Sequence, residues 1–239
     1  MNFKVQVHRV MQLGALFILV ALSSSLSWAD ERDQAKRMHD RIAGVPPDEA
    51  TLTAMATAIS NNDAVGAALM ATEAPEFYGV TLKNWAAPWT NRDASVFVPL
   101  DDYIATVIGV VRDELDFRKI LHDDILYVGS GQNVPGYSSS SNAHYQALED
   151  QGVNLMNNLQ RVTQSSTTGI PANATAGIMT TRSAAKAFFI DGTNRAMFRF
   201  TMLNHLCHDM EQVKDVTRSP DRIRQDCLLY TSPSPRDED

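Results

Sequence analysis

The stretch DEATLTAMATAISNNDAVGAALMATEAPEFYGVTLKNWAAPW, Asp48 to Trp89, reads as three short helices joined by tight turns. Asp48 stands where an N-cap belongs, and Leu52, Met55 and Ile59 follow it at helical spacing. Asn61-Asn62-Asp63 stops that helix and caps the next, whose apolar residues are Val65, Ala68 and Leu69. Pro75 opens a third helix, with Phe77, Thr81, Trp85 and Trp89 expected down one side. An aromatic row at this spacing reads as core, to be buried against Leu52, Met55, Ile59 and Leu69.

The same periodicity extends outward in both directions. Ala35 to Ala43 is a short polar helix ending at Gly44, ahead of Val45-Pro46-Pro47. Ser95 to Leu100 (SVFVPL) is the one good strand-like run, and Pro99 makes it an edge strand or an extended linker. Asp101 or Asp102 caps a helix through Val111, and Phe117 to Leu121 adds a further helical turn. Gly129 to Asn142 (GSGQNVPGYSSSSN) reads as a loop. His144 to Val162, Ser183 to Phe189 and Asn194 to Val213 complete the expected helices. The chain is therefore expected to be mainly α, a multi-helix bundle-like domain or domains with few or no strands. Its expected organisation is an N-terminal helical region over 30–128, a Gly/Ser loop over 129–142 and a C-terminal helical region over 143–226.

Both ends read differently from the middle. Lys4, His8 and Arg9 precede the apolar run Leu13 to Leu22, and Ser27-Trp28-Ala29 places small residues at the −3 and −1 positions of a signal-peptidase site. A run of that length is short of the roughly 20 residues a membrane-spanning helix needs. Residues 1–29 are thus expected to be a signal peptide cleaved before Asp30, with an uncleaved anchor as the rival. No later stretch is apolar enough to span, so the mature chain is expected to be periplasmic or extracellular. At the other end, Cys227 to Asp237 (CLLYTSPSPRD) back-translates codon by codon into a transposase-type sequencing adapter. Residues 227–239 are read as adapter-derived, the rival being a Pro/Ser-rich natural tail. That leaves Cys207 as the one natural cysteine, either a buried thiol or one whose partner lies beyond the stretch.

The formal net charge is −7. A mildly acidic chain with scattered Lys and Arg offers no basic stripe, so no nucleic-acid partner is expected. The densest polar cluster is His205-Leu206-Cys207-His208-Asp209-Met210, which on a helix would bring His205 and Asp209 to one face. Imidazole and thioether ligate metals and haem, which makes His205, His208 and Met210 weak cofactor candidates. Their spacing matches no standard zinc or haem pattern, so no metal site is expected. The simpler reading is a partly exposed helix end with Asp209 paired locally. The acidic groups Asp101-Asp102, Asp113-Glu114-Asp116 and Asp123-Asp124 lack calcium-loop spacing and read as caps. No G-x-S-x-G, H-E-x-x-H or C-x-x-C-H motif occurs, so a hydrolase using Ser183 or the Ser138–Ser141 run has no motif behind it.

Ile42-Ala43-Gly44-Val45-Pro46-Pro47 resembles the "LTGLPP" segment of planctomycete-type cytochrome-c-associated secreted proteins. Their later "LLASPxYGExWAxxWLD" segment is similar to Leu69-Met70 through Ala74-Pro75-Glu76-Phe77-Tyr78 to Trp85-Ala86-Ala87-Pro88-Trp89. The family's arginine and histidine between those aromatics are absent, with Val80, Thr81 and Leu82 in that region. Gly177 to Arg182, and on to Phe200, is similar to the segment ahead of the family's haem motif. The resemblance implies a C-x-x-C-H segment following the equivalent of Arg218 to Arg222, and so haem c in a full-length protein but no cofactor bound by these residues. It implies extracytoplasmic electron transfer with an unidentified redox or binding partner. The residues also leave open a secreted helical binding module without a redox centre, and a hydrolase with an unrecognised site. Whether the protein is an enzyme is left open.

Overall fold

Four aspartates start helices. Asp30, Asp48, Asp63 and Asp101 each turn a carboxylate oxygen back onto a free N–H of the first turn, from Arg32, Thr51, Gly66 and Ile104, at 2.7–3.0 Å. Each satisfies a donor that the helix itself leaves unpaired. The helices so started are α1 (Glu31–Ile42), α2 (Glu49–Ser60), α3 (Ala64–Thr72) and α5 (Asp102–Arg112), with α4 (Lys83–Ala86) between the last two. This computed structural model describes residues 30–190, 194–209 and 212. The expected signal peptide, Met210 and the stretch from Cys227 lie outside the described residues.

Helices α1, α2 and α3 pack on one another around Ala35, Met55, Ala58, Ala67 and Ala71. Alanines at the contact let the helix axes approach closely. That closeness corrects the expected face of α3: Val65 and Leu69 are 72% and 59% exposed, and Ala67 and Ala71 take the inside. His39 Nδ1 lies 2.8 Å from Val45 O and ties α1 to the turn that leads into α2.

The larger core surrounds α5, which is buried from Asp102 to Val110. Around it lie α6 (Lys119–His122), β1 (Leu126–Gly129), α7 (Ala143–Asp150), α8 (Leu155–Asn158), β2 (Leu159–Val162), α9 (Gln164–Thr168), α10 (Arg182–Ala185) and α11 (Asn194–Leu206). The strands pair antiparallel, Leu126 with Val162 and Gly129 with Leu159. The Gly/Ser loop leaves and rejoins this core: Tyr127 before it and Tyr145 after it are both buried, and Tyr145 Oη donates to Tyr127 O at 2.7 Å. The fold is mainly α with a single two-stranded sheet among the described residues. No helix among them is long and apolar enough to cross a membrane.

Of the two readings of Ser95 to Leu100, the structure has the extended linker: the run forms no strand, Phe97 is 94% exposed, and the run leads into α5. Two expectations are corrected here. The expected helix His144–Val162 breaks after Asp150, where Gly152 (φ +59) turns the chain, and its last four residues become β2. Pairing with β1 supplies the backbone partners that a helix would otherwise have provided. The expected helix from Asn194 to Val213 ends at Leu206, because Cys207 adopts a left-handed conformation (φ 53).

Candidate functional site

The aromatic row predicted for the core is divided. From Phe77 to Leu82 the backbone widens into a π-helical turn, followed by α4 and a 3₁₀ turn over Ala87–Thr90. The buried stripe is Tyr78, Leu82 and Ala86, one position on from the expected Phe77, Thr81 and Trp85. Small Ala86 and Ala87 allow close packing on the larger core, and indole rings there would hold the elements apart. Phe77 and Trp89 pack at the edge of that larger core instead of inside the α1–α3 cluster. Trp85 is 51% exposed.

The displaced rings form a surface of their own. Trp85 and Trp89 meet edge to face with centroids 4.7 Å apart, and Phe117 lies 6.2 Å from Trp85 and 6.5 Å from Trp89. His205, on the last turn of α11, stands edge-on to Trp89 at 5.5 Å. Its Nε2 lies 3.0 Å from Tyr103 Oη, and Asn204 fixes the same turn by donating to Trp89 O. Burial lowers the His205 pKa, which favours a neutral ring at pH 7. Burial also raises the Tyr103 pKa far above its ordinary value, so the phenol keeps its proton. A phenol donating to Nε2 places the imidazole proton on Nδ1.

The other sequence candidates fall away from this ring. Cys207 and His208 are exposed, and the His208 N–H returns to Met202 O at 3.1 Å. Asp209 does not share a helical face with His205. It receives two hydrogen bonds from Arg199, at 2.9 and 2.8 Å, as part of a fold-back beyond the helix end. No group of three or more His, Cys, Asp or Glu among the described residues could hold a metal ion. Covalent haem attachment needs two thiols beside an imidazole, and Cys207 is the one cysteine among the described residues. The residues present therefore do not fit a covalently held haem.

A second polar concentration lies beneath the N-terminus of α5. Asp102 is fully buried and accepts from the N–H groups of Arg182 and Ser183 at 2.7 and 3.0 Å, and more weakly from Tyr137 Oη at 3.4 Å. It thus anchors α10, eighty residues on, to the start of α5. Asp101, also buried, is pushed up to about 7, first by desolvation and then by the charge of Asp102. Of the two, Asp102 has the richer set of N–H donors. Arg182 reaches Asn142 Oδ1 at 2.6 Å, while its Nε is buried without a partner. Nearby His144 is held at both ring nitrogens: Nε2 accepts the Gly129 N–H at 3.0 Å, and Nδ1 lies 2.6 Å from Pro135 O. The group is built for holding elements together.

The serines raised as nucleophiles are placed otherwise. Ser183 Oγ lies against the Arg182 guanidinium, and Ser138 and Ser140 hydroxyls bond each other on the surface. Sequence reasoning missed Tyr103, Tyr137 and Arg182, since isolated tyrosines and one arginine carry no motif. Comparison with protein-family models, with curated proteins and with solved structures finds no match.

Proposed function

We propose that this chain is the helical, haem-free portion of an exported cytochrome-c-associated protein that serves electron transfer outside the cytoplasm. The observation that carries this reading is the Trp85–Trp89–Phe117–His205 surface, an ordered aromatic face beside a half-buried imidazole. Aromatic, half exposed at Trp85 and edged by a neutral imidazole, such a face suits the packing of a redox-bearing part or partner. In the proposed arrangement haem c would be held on a segment outside the described residues and would supply the electron-accepting chemistry. The residues here hold a surface, keep Tyr103 and His205 in register and exclude water from the rim of the core. The resemblance at Ile42–Pro47 and Leu69–Trp89 supports the same reading, and the second of those segments supplies both tryptophans.

The experiment is expression of a longer version of the locus, running through a C-x-x-C-H segment, in a host that attaches haem. A Soret band that survives denaturation is expected, shifted in position by Trp85→Ala with His205→Ala. Loss of the reading follows if the longer gene encodes no such segment, or if its spectrum ignores both substitutions. A secreted binding module is the second reading, favoured by the exposure of Trp85, since half-exposed indole stacks on sugar rings as readily as on a partner protein. Saturable binding of a soluble oligosaccharide, lost in Trp85→Ala, would put that reading first.

A further inference from the structure

A cleft of about 280 Å³ opens between the π-helical turn Phe77–Leu82 and the turn joining α7 to α8. Its apolar surface comes from Leu100, Leu148 and Leu155, which are buried, together with Val80 and Val153. Gly79 and Gly152 both line it, and a Cβ added at either would meet no atom within 4 Å. A π-helical turn is a rare, costly conformation that recurs at functional sites. Here it swings Gly79 and Lys83 toward the cleft.

Lys83 and Glu149 close an ion pair across the two walls, and Glu149 is fixed further by the Leu100 N–H, 2.8 Å from Oε2. Lys83 is thereby neutralised. Glu76, exposed on the same wall, leaves the lining one negative charge in excess. An engineered cavity of about 150 Å³ holds benzene, so this space has room for one ring and a short chain. Small-molecule sites combine an apolar lining with a few placed charges in this way.

We propose that this cleft binds a small organic cation, an ammonium group joined by a short chain to an aromatic or branched apolar body. The apolar body lies on Leu100, Leu148 and Val153, and the ammonium faces Glu76, the one carboxylate of the lining outside the Lys83–Glu149 pair. The site is separate from the aromatic face around Trp89, and it stands or falls apart from any role in electron transfer.

The test titrates the full chain with phenethylamine, phenylacetate and phenethyl alcohol at low salt, following the amide shifts of Gly79 and Gly152 by NMR. Saturable shifts at both glycines are expected with phenethylamine, at least fivefold tighter than with phenylacetate. Glu76→Gln should narrow that preference. Gly79→Leu, which fills open space, should abolish binding while leaving the circular dichroism unchanged; Val153→Trp fills the cleft from the other wall if the first variant misfolds. Equal or tighter binding of phenylacetate, shifts confined to other residues, or undiminished binding in both filled variants would overturn the proposal.

Discussion

Replacing Asp101 by Asn should make the protein more stable at pH 8, and by a clearly smaller margin at pH 5. In the unfolded chain the carboxyl titrates near 3.8, and in the folded protein burial and Asp102 push it up to about 7. Between those values the folded state holds a proton that the unfolded state releases. The sign follows directly: this group's contribution to stability falls as pH rises from about 4 to about 7, and its full penalty stands above that. A tenfold change in proton affinity is worth about 1.4 kcal/mol, which caps the penalty at roughly 4 kcal/mol. Relaxation around the ion would reduce it to about half. Asn is as good an N-cap as Asp and retains an acceptor for the Ile104 N–H, now at 2.9 Å, so the cap itself is conserved. The assay is urea unfolding of parent and variant at pH 5 and pH 8, followed by tryptophan fluorescence. A variant ahead by about 2–4 kcal/mol at pH 8 and by only about 1–2 kcal/mol at pH 5 is expected. Asp102→Asn provides the contrast, losing stability at both pH values, because one amide oxygen replaces two carboxylate oxygens that take N–H donors from Tyr103, Arg182 and Ser183. A difference between parent and Asp101→Asn that is the same at both pH values would refute the reasoning.

Other expectations follow from burial and clearance. Trp85→Ala should cost only about 1–2 kcal/mol, below the 3–5 kcal/mol typical of a buried tryptophan, because the ring is half exposed; a larger loss by thermal melting would mean the face is covered. His205 should titrate by NMR with a midpoint below 6.5, its burial opposing the charged ring, so that its contribution to stability declines as pH falls through 6.5; a midpoint above that value would contradict the packing against Trp89 and Tyr103. Gly109→Ala should destabilise by about 1–3 kcal/mol or more, since its Cβ would lie 2.2 Å from the Tyr127 ring, whereas Gly79→Ala should be nearly neutral; similar urea midpoints for the two would count against the helix–strand contact.

The sequence by itself determined where helices begin. An aspartate at an N-cap acts on N–H groups two or three residues away, so Asp48, Asp63 and Asp101 carry their meaning within one turn. The predominance of helix was legible for the same reason, since apolar spacing is local. Part of the candidate site was legible too: Trp85, Trp89 and His205 all stood out, though as core or helix-end residues. Which face of each helix turns inward was decided by the tertiary structure. Ala67, Ala71 and Ala86 won the contacts over Val65, Leu69 and Trp85, because close approach of two backbones excludes larger side chains whatever their hydrophobicity. Leu159 to Val162 became a strand because β1, thirty residues earlier, offered it a ladder of backbone partners. The meeting of Tyr103 with His205, and of Asp102 with Arg182 and Ser183, joins residues some 80 to 100 positions apart. No local pattern encodes such contacts; they exist only once α10 and α11 have closed over α5.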